Sequence, residues 1–384
     1  MKKENSIFIS LVREAMMGRA DGAEPRCFES EDLQYIPQVM KLAEKHDVLP
    51  IVAEALERYD CPDGAEQIFA QAAKHKFLAV YRMTLQNAEK EAVRSALEEA
   101  GIPFILLKGA LLRDLYPEAW MRTSSDVDLL VEPHRHEEAK EYLEKNLGYT
   151  YFANTPHDVS FYSQSGVHIE LHFKLIEKRR ALDTANVLDK AWEYSVPKSD
   201  GCYERVFKDE MFYYYHIAHM AKHFLNGGCG VRFLLDLYIL NNLKSADKEK
   251  RSQLLANGGL IDFARTVSAL AEYWFGEGDA DEITLETEDF ILTGGLYGTR
   301  DTHIINQVGV KGSKFRYFMS RIFIPYEEFK RTFPKMGKYK ILIPIMHIRR
   351  ILRLLNPDKR KRVSEEVKKV REINNSLVEK LKLY

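Results

Sequence analysis

Apolar residues recur at helical spacing towards both ends of the chain, and the pattern changes to that of strands in the middle. Before residue 100, an apolar position returns every three or four residues in the ranges 7–17, 30–45, 49–59 and 65–100. The same spacing, which forms one face of an amphipathic helix, returns later in the ranges 209–225, 231–243, 248–275 and 286–293. We therefore expect helices before and after a central region that contains strands.

Two predicted strands in the central region carry acidic residues on one face. Side chains alternate between the faces of a strand, so Asp126 and Asp128 of the stretch Asp-Val-Asp-Leu-Leu-Val share a face. In a later stretch, His168, Glu170 and His172 share a face in the same way, with apolar residues between them. Carboxylates grouped in this way can hold divalent metal ions. An Asp-x-Asp pair alone also occurs at solvated strand ends, and that interpretation stays open for the motif by itself.

A third predicted strand ends in a turn of the kind that binds phosphate. The apolar residues 102–107 precede Lys108 and Gly109, and a helical pattern follows. Glycine lets the backbone approach an anion closely, a helix N-terminus presents unpaired amides, and lysine supplies a positive charge. The turn therefore predicts contact with a phosphate group.

The order of these features resembles the nucleotidyltransferase superfamily with the DNA polymerase β type of catalytic core. The glycine turn, Arg122, the Asp-x-Asp strand, a helix over 134–147, a hairpin and the Glu170 strand follow one another as in that superfamily. Over residues 100–175 the chain is most similar to uncharacterised bacterial nucleotidyltransferase-like proteins. A looser similarity extends to a helical segment that carries His219, Lys222, His223, Arg232 and Asp236. The chain departs from the superfamily pattern at Ala110, where Gly or Ser is usual, and in the sixteen residues between Gly109 and Asp126.

The resemblance implies a two-metal transfer reaction. Asp126 and Asp128 would bind two Mg²⁺ or Mn²⁺ ions, and Glu170 would bind the catalytic ion while orienting or deprotonating an acceptor hydroxyl. The reaction would move a nucleoside monophosphate from a nucleoside triphosphate such as ATP to the acceptor and release pyrophosphate. The residues implied in nucleotide binding are Lys108, Gly109, Arg122, Ser125 and His172.

Two of these residues have a second interpretation. Arg122 is either a nucleotide contact or a surface arginine paired with Asp114 or Glu118. His172 either lines the site or orients Glu170 through a hydrogen bond.

Together, the pattern and the resemblance predict an α+β fold in three parts. We expect an N-terminal helical segment over 1–98, a nucleotidyltransferase core with a short mixed β-sheet over 99–200, and a C-terminal helical region over 201–384. A charged segment over 197–209 is expected to join the last two.

Composition agrees with a cytoplasmic enzyme. Lysine and arginine total 56 against 57 aspartates and glutamates, so no global attraction to nucleic acid follows. The four cysteines are isolated, which is typical of reduced thiols in a cytoplasm. The sequence near the N-terminus is unlike a secretory signal, and the longest apolar run is too short to span a bilayer.

Histidines at 216, 219 and 223 fall on one stripe of the helix predicted over 209–225. The stripe could hold zinc, although no carboxylate completes a ligand set. Alternatively, His219, Lys222 and His223 face the nucleotide or the acceptor. A third interpretation is a plain buried or interdomain face.

Three further segments carry structural predictions. Gly227–Gly230 is expected to end a helix as a cap and turn. Residues 294–312 are expected to form a loop that could cross towards the active site. The basic, apolar segment 340–362 suggests either a helix packed on the body, with a charged terminal helix over 364–383, or contact with RNA or a membrane surface.

Three functions are compatible with the sequence. The first is a nucleotidyltransferase that acts on a small molecule or a protein side chain. The second is an enzyme of the same class that modifies RNA. The third is a nucleotide-binding or interaction module that retains the fold without transfer activity.

Overall fold

The computed structural model describes residues 1–16, 27–175, 182–323 and 377–383, with isolated residues at 326, 329–330, 344–345, 347–348 and 365. The N-terminal part is helical, as predicted. Its α-helices are α1 (Lys3–Met16), α2 (Ile36–Lys45), α3 (Leu49–Leu56) and α4 (Glu66–Glu99). Most of the segment 340–362 and most of the helix predicted over 364–383 lie outside the described residues.

Within the described residues, seven strands form one mixed sheet. They are β1 (Phe104–Leu106), β2 (Asp126–Val131), β3 (Thr150–Asn154), β4 (Asp158–Tyr162), β5 (His168–His172), β6 (Ser195–Pro197) and β7 (Glu204–Phe207). Their order across the sheet is β3-β4-β5-β2-β1-β7-β6. Strand β2 pairs antiparallel with β1 and parallel with β5, so the two strands that carry the acidic residues lie side by side.

The two faces of the sheet contribute residues to two different hydrophobic cores. On the back face, Val127, Leu129, Ile169 and Leu171 pack in one apolar cluster with residues of α4 and of α6 (His136–Asn146). Alternation along β2 leaves Asp126 and Asp128 on the opposite, front face. The front face therefore carries both the acidic residues and the contacts with the helices that follow the sheet.

The segment 197–209 is not simply a charged connection, because it contains β7. Glu204 is 2 % exposed within this strand. Its carboxylate accepts hydrogen bonds from Arg94 at 2.7 Å and from Lys198 at 2.9 Å. Burial of an acid is tolerated when its charge is paired. The sequence analysis predicted only a charged segment here, and no strand.

The C-terminal part is helical, as predicted, with several differences in its elements. The helices in its described residues are α8 (Asp209–Leu225), α9 (Val231–Asn241), α10 (Lys248–Asn257), α11 (Ile261–Phe275), α12 (Glu282–Gly294), α13 (Arg300–Lys311), α14 (Lys314–Ile322) and α15 (Leu377–Lys380). Two shorter helices lie among the strands: α5 (Gly109–Leu112) follows β1, and α7 (Leu182–Leu188) lies between β5 and β6. No described helix combines the length and the apolar character needed to cross a membrane.

Two predictions for this part were wrong. The single helix expected over 248–275 is broken at Gly258 and Gly259, and Gly259 adopts a positive φ of 68°, which favours glycine and ends a helix. The loop expected over 294–312 contains α13. Thr299 and Thr302 form a reciprocal capping box at its start, which satisfies the backbone donors that a helix leaves unpaired.

The glycines 227–230 form a turn after α8, as predicted. Gly227 has a φ of 96°. A side chain at Gly227 or Gly228 would overlap the backbone of the segment 297–303. Glycine is therefore required here for close approach of two backbones.

One buried ion pair and one partly exposed ion pair anchor α9 to the segments before β2. Asp236, which is fully buried, accepts hydrogen bonds from Arg122 Nε and the Tyr116 hydroxyl, both at 2.7 Å. One turn earlier, Arg232 pairs with Asp47 and donates a hydrogen bond to the Thr123 carbonyl at 2.9 Å. The helical region thus fixes the backbone just before Asp126.

Replacing Asp236 with alanine is expected to destabilise the protein by about 3–5 kcal/mol, because the Arg122 guanidinium would remain buried without its partner. The double variant Asp236→Leu/Arg122→Met should recover much of this loss, since no unpaired charge remains. Urea denaturation of both variants measures the difference. A loss below about 1 kcal/mol for Asp236→Ala would contradict the assignment of this pair as a structural connection.

Candidate active site

The pairing of β2 with β5 brings the predicted acidic residues together. In the parallel register, Asp126 lies opposite His168 and Asp128 lies opposite Glu170. Ligand atoms of Asp126, His168 and Glu170 lie within 4.8 Å of one another, and those of Asp128, Glu170 and His172 do so as well. The two groups share Glu170. Oxygen ligands at such spacing suit a hard divalent cation.

Asp128 lies at the centre of this cluster and is 2 % exposed. Its Oδ1 atom accepts hydrogen bonds from Lys108 Nζ at 2.7 Å and from His172 Nε2 at 2.8 Å. Although burial opposes ionisation, Lys108 and His172 hold the pKa of Asp128 well below its usual range. These two contacts therefore favour the ionised form of Asp128.

His172 contacts two of the acids. Its Nε2 atom lies 2.8 Å from Asp128 and 3.3 Å from a Glu170 oxygen. The ring itself is buried, which lowers its pKa, but hydrogen bonds to these two acids raise it above the ordinary value overall. The contact with Glu170 agrees with the interpretation in which His172 orients that carboxylate.

The pKa of Asp126 is shifted in the opposite direction from the pKa of Asp128. Burial, followed by repulsion from Asp128, raises the pKa of Asp126 to about 6. The hydroxyls of Ser124 and Ser125 each donate a hydrogen bond to its carboxylate at 3.1 Å. Asp126 thus carries negative charge that the described residues compensate only in part, as expected where a cation binds.

The turn at Lys108 and Gly109 adjoins the same acids. Lys108 is a non-glycine residue with φ 45° and ψ −122°, a sparsely populated conformation of the kind that clusters at functional sites. A Cβ atom on Gly109 would lie 3.2 Å from the Ser124 side chain, so glycine permits close contact between this turn and the loop before β2. The helix after the turn is short, covering Gly109–Leu112.

The departure at Ala110 has a structural explanation. Ala110 is 6 % exposed and belongs to the apolar cluster behind the sheet. Its side chain therefore packs into the core. A hydroxyl at this position would lose that packing.

Arg122 is not a surface arginine, and its ion-pair partner is neither Asp114 nor Glu118. It is buried against Asp236, a residue more than a hundred positions later. Arg122 also lines a cleft of about 320 Å³ beside the start of β2. Other lining residues include Arg82, Gln86, Trp120, Ser124, Ser125 and Tyr297.

Helix α8 approaches the acids from the front of the sheet. Tyr215 and His219 interact electrostatically with Lys108 and Asp128. Burial raises the pKa of Tyr215 and lowers the pKa of His219. The Nε2 atoms of His219 and His223 are 3.2 Å apart, and both rings pack against Phe233.

The histidine stripe therefore lies at a packed interface. His216 is buried with Nε2 3.2 Å from the Phe233 carbonyl, while His219, Lys222 and His223 are half-buried. Among the described residues, no group of three potential metal ligands includes a histidine of this stripe.

His168 and Tyr215 were not among the site residues predicted from the sequence. Its strand pattern placed His168 on the correct face, and the register now brings it opposite Asp126. His168 Nε2 is buried, and no described residue forms a hydrogen bond with it. The proximity of Tyr215 depends on how α8 docks on the sheet, which no local spacing reveals.

Comparison with known proteins identifies one related family. The model of a family described as uncharacterised nucleotidyltransferase matches residues 34–276, which is more than half of the chain. No curated protein and no solved structure matches the chain.

The variant Asp126→Asn is expected to be more stable than the wild type in metal-free buffer at pH 8, by about 1–3 kcal/mol. The folded-state pKa of Asp126 is about 6, above the ordinary 3.8, and one pKa unit corresponds to about 1.4 kcal/mol. The folded protein therefore retains the proton more strongly, and wild-type stability falls as pH rises through the window from about 4 to 6.

Urea denaturation in EDTA at pH 5 and pH 8 checks this expectation. The advantage of Asp126→Asn should shrink at pH 5, where the wild-type acid is largely protonated. The exposed residue Asp200 supplies a control, Asp200→Asn, which should show no such pH dependence. An equal effect of Asp126→Asn at both pH values would contradict the raised pKa.

Proposed function

Since the chain belongs to a family of uncharacterised nucleotidyltransferases, we propose that it transfers a nucleoside monophosphate from a nucleoside triphosphate to an acceptor. The acceptor group is a hydroxyl or similar nucleophile on a small molecule or protein. The observation that supports the proposal most is the register of β2 and β5, which groups Asp126, Asp128 and Glu170 on one surface.

The acidic cluster fits the divalent cations that the proposal requires. Asp126, Asp128 and Glu170 would hold two Mg²⁺ or Mn²⁺ ions, with His168 as a further donor. The spacing of the ligand atoms and the raised pKa of Asp126 support this assignment. When bound, such ions neutralise phosphate charge and lower the pKa of an attacking hydroxyl.

The residues on the β1 side of the cluster would bind the triphosphate. Lys108 brings its ammonium to Asp128, at the edge of the surface where a phosphate oxygen would bind. Gly109 allows close approach of the backbone, and Ser125 holds Asp126 through its hydroxyl. Arg122 adds positive charge to the adjoining cleft, although its pairing with Asp236 also makes it a positioning residue.

Glu170, on the other side of the cluster, would receive the acceptor. Its carboxylate takes the proton as the acceptor oxygen forms a bond to the α-phosphorus and the bond to the β-phosphate oxygen breaks. Pyrophosphate then leaves with the electron pair of that bond. His172, at 3.3 Å from Glu170, fixes the orientation of the carboxylate. His219, Lys222 and His223 on α8 would face the bound substrates.

Incubation with each α-labelled nucleoside triphosphate, Mg²⁺ or Mn²⁺, and bacterial small-molecule, RNA and protein fractions tests the proposal. We expect label in the small-molecule or protein fraction, reduced about 100-fold or more by Asp126→Asn or Asp128→Asn, because each substitution removes a charged ligand. Asp200→Asn is the matched control and should retain activity.

Each outcome of this experiment discriminates between functions. Label in the RNA fraction would replace the proposed acceptor with a nucleic acid. No label in any fraction, together with no metal-dependent binding of triphosphate in calorimetry, would contradict the enzyme and favour the non-catalytic module.

A further inference from the structure

An exposed aromatic surface adjoins the acidic cluster on the front face of the sheet. Phe152 is 60 % exposed and Tyr162 is 39 % exposed. The ring of Phe152 lies 5.0 Å from that of Tyr162 and 6.0 Å from that of His168, measured between centroids. The rings of Tyr162 and His168 are also 5.0 Å apart. We call these three residues the aromatic platform.

The strand register explains why the three rings meet on this face. Tyr162 lies opposite His168, and Ser160 lies opposite Glu170, so the platform and the carboxylate share one surface of β4 and β5. In β3 the register shifts between Tyr151 and Ala153. Such bulges commonly redirect a side chain beside an active site, and here the extra residue is Phe152.

The geometry of in-line transfer indicates which substrate would lie over the platform. The attacking and leaving oxygens lie on opposite sides of the phosphorus. Lys108 and Gly109, on the β1 side of β2, are assigned to the departing phosphates. The acceptor must then approach from the opposite side, over β5 and β4, where Glu170 and the platform lie.

We propose that Phe152, Tyr162 and His168 bind the acceptor by stacking against a flat ring, so that the acceptor is a small alcohol attached to an aromatic ring or nucleobase. This inference rests on the proposed function. Aromatic side chains provide stacking surfaces for planar groups. The chain carries 56 lysines and arginines against 57 aspartates and glutamates, so its composition supplies no general attraction for a polyanion such as RNA.

Saturation-transfer NMR with defined probes tests the platform. The full chain is saturated with Mg²⁺ and a non-hydrolysable α,β-methylene triphosphate, so that a nucleoside probe cannot occupy the nucleotide site. Adenosine and tyrosinamide represent flat rings with hydroxyls, and methyl glucoside represents a saturated ring. Phe152→Leu removes the exposed ring, Phe152→Tyr retains it, and Phe315→Leu is a control at an exposed phenylalanine (72 %) on α14.

We expect a flat-ring probe to bind wild type, and Phe152→Leu to weaken its binding about tenfold, in line with the contribution of one stacking contact. Phe152→Tyr and Phe315→Leu should bind it as wild type does. Binding of methyl glucoside alone, equal binding to Phe152→Leu, or no binding of any flat-ring probe would overturn the proposal.

Calorimetry of the triphosphate analogue separates the two proposals. Phe152 variants should bind the analogue as wild type does, because Phe152 is assigned to the acceptor side and is not a proposed ligand of the metal ions. If wild type fails to bind the analogue with metal, the proposed function fails. If the analogue binds normally and the flat-ring probes do not distinguish Phe152→Leu, only the platform fails.

Discussion

The crowding of negative charge on one face of the sheet is the constraint around which this protein is organised. Asp126, Asp128 and Glu170 project from two adjacent parallel strands. Lys108 and His172 compensate the buried Asp128 directly, whereas Asp126 keeps a raised pKa. Like charges at such distances destabilise a fold unless they are paired or bind a cation. Their partial compensation therefore indicates a site arranged for a ligand that carries positive charge.

The surrounding helices hold this unfavourable arrangement in place. Asp236 pairs with Arg122, and Arg232 pairs with Asp47, so α9 and the turn after α2 both fix the loop before β2. On the back of the sheet, α4 and α6 cover an apolar face that requires no polar partners. The cleft is lined by Ser124 and Ser125 just before β2, whereas the aromatic platform lies over β3, β4 and β5.

The sequence was sufficient to predict that Asp126, Asp128 and Glu170 lie on the same face as their strand neighbours at alternate positions. Alternation is a local property of a strand and can be read from the spacing of residues. Features that depend on distant partners could not be predicted in this way. Glu204 lies in a strand because Arg94 and Lys198 neutralise it, and Arg122 is buried because Asp236 meets it. The helix over Arg300–Lys311 was not predicted, because the glycines before it indicated a loop. The threonine pair of its capping box was nevertheless a local signal of a helix start.

Binding of Mn²⁺, followed by electron paramagnetic resonance with and without a non-hydrolysable triphosphate, tests the central claim most directly. Glu170→Gln preserves the size of the side chain and one acceptor oxygen but removes the charge of the carboxylate that both ligand groups share. We expect wild type to bind Mn²⁺, the triphosphate analogue to strengthen this binding, and Glu170→Gln to weaken it about tenfold or more. Absence of bound Mn²⁺ in wild type, or equal affinity in Glu170→Gln, would contradict the assignment of these acids to a metal-dependent site.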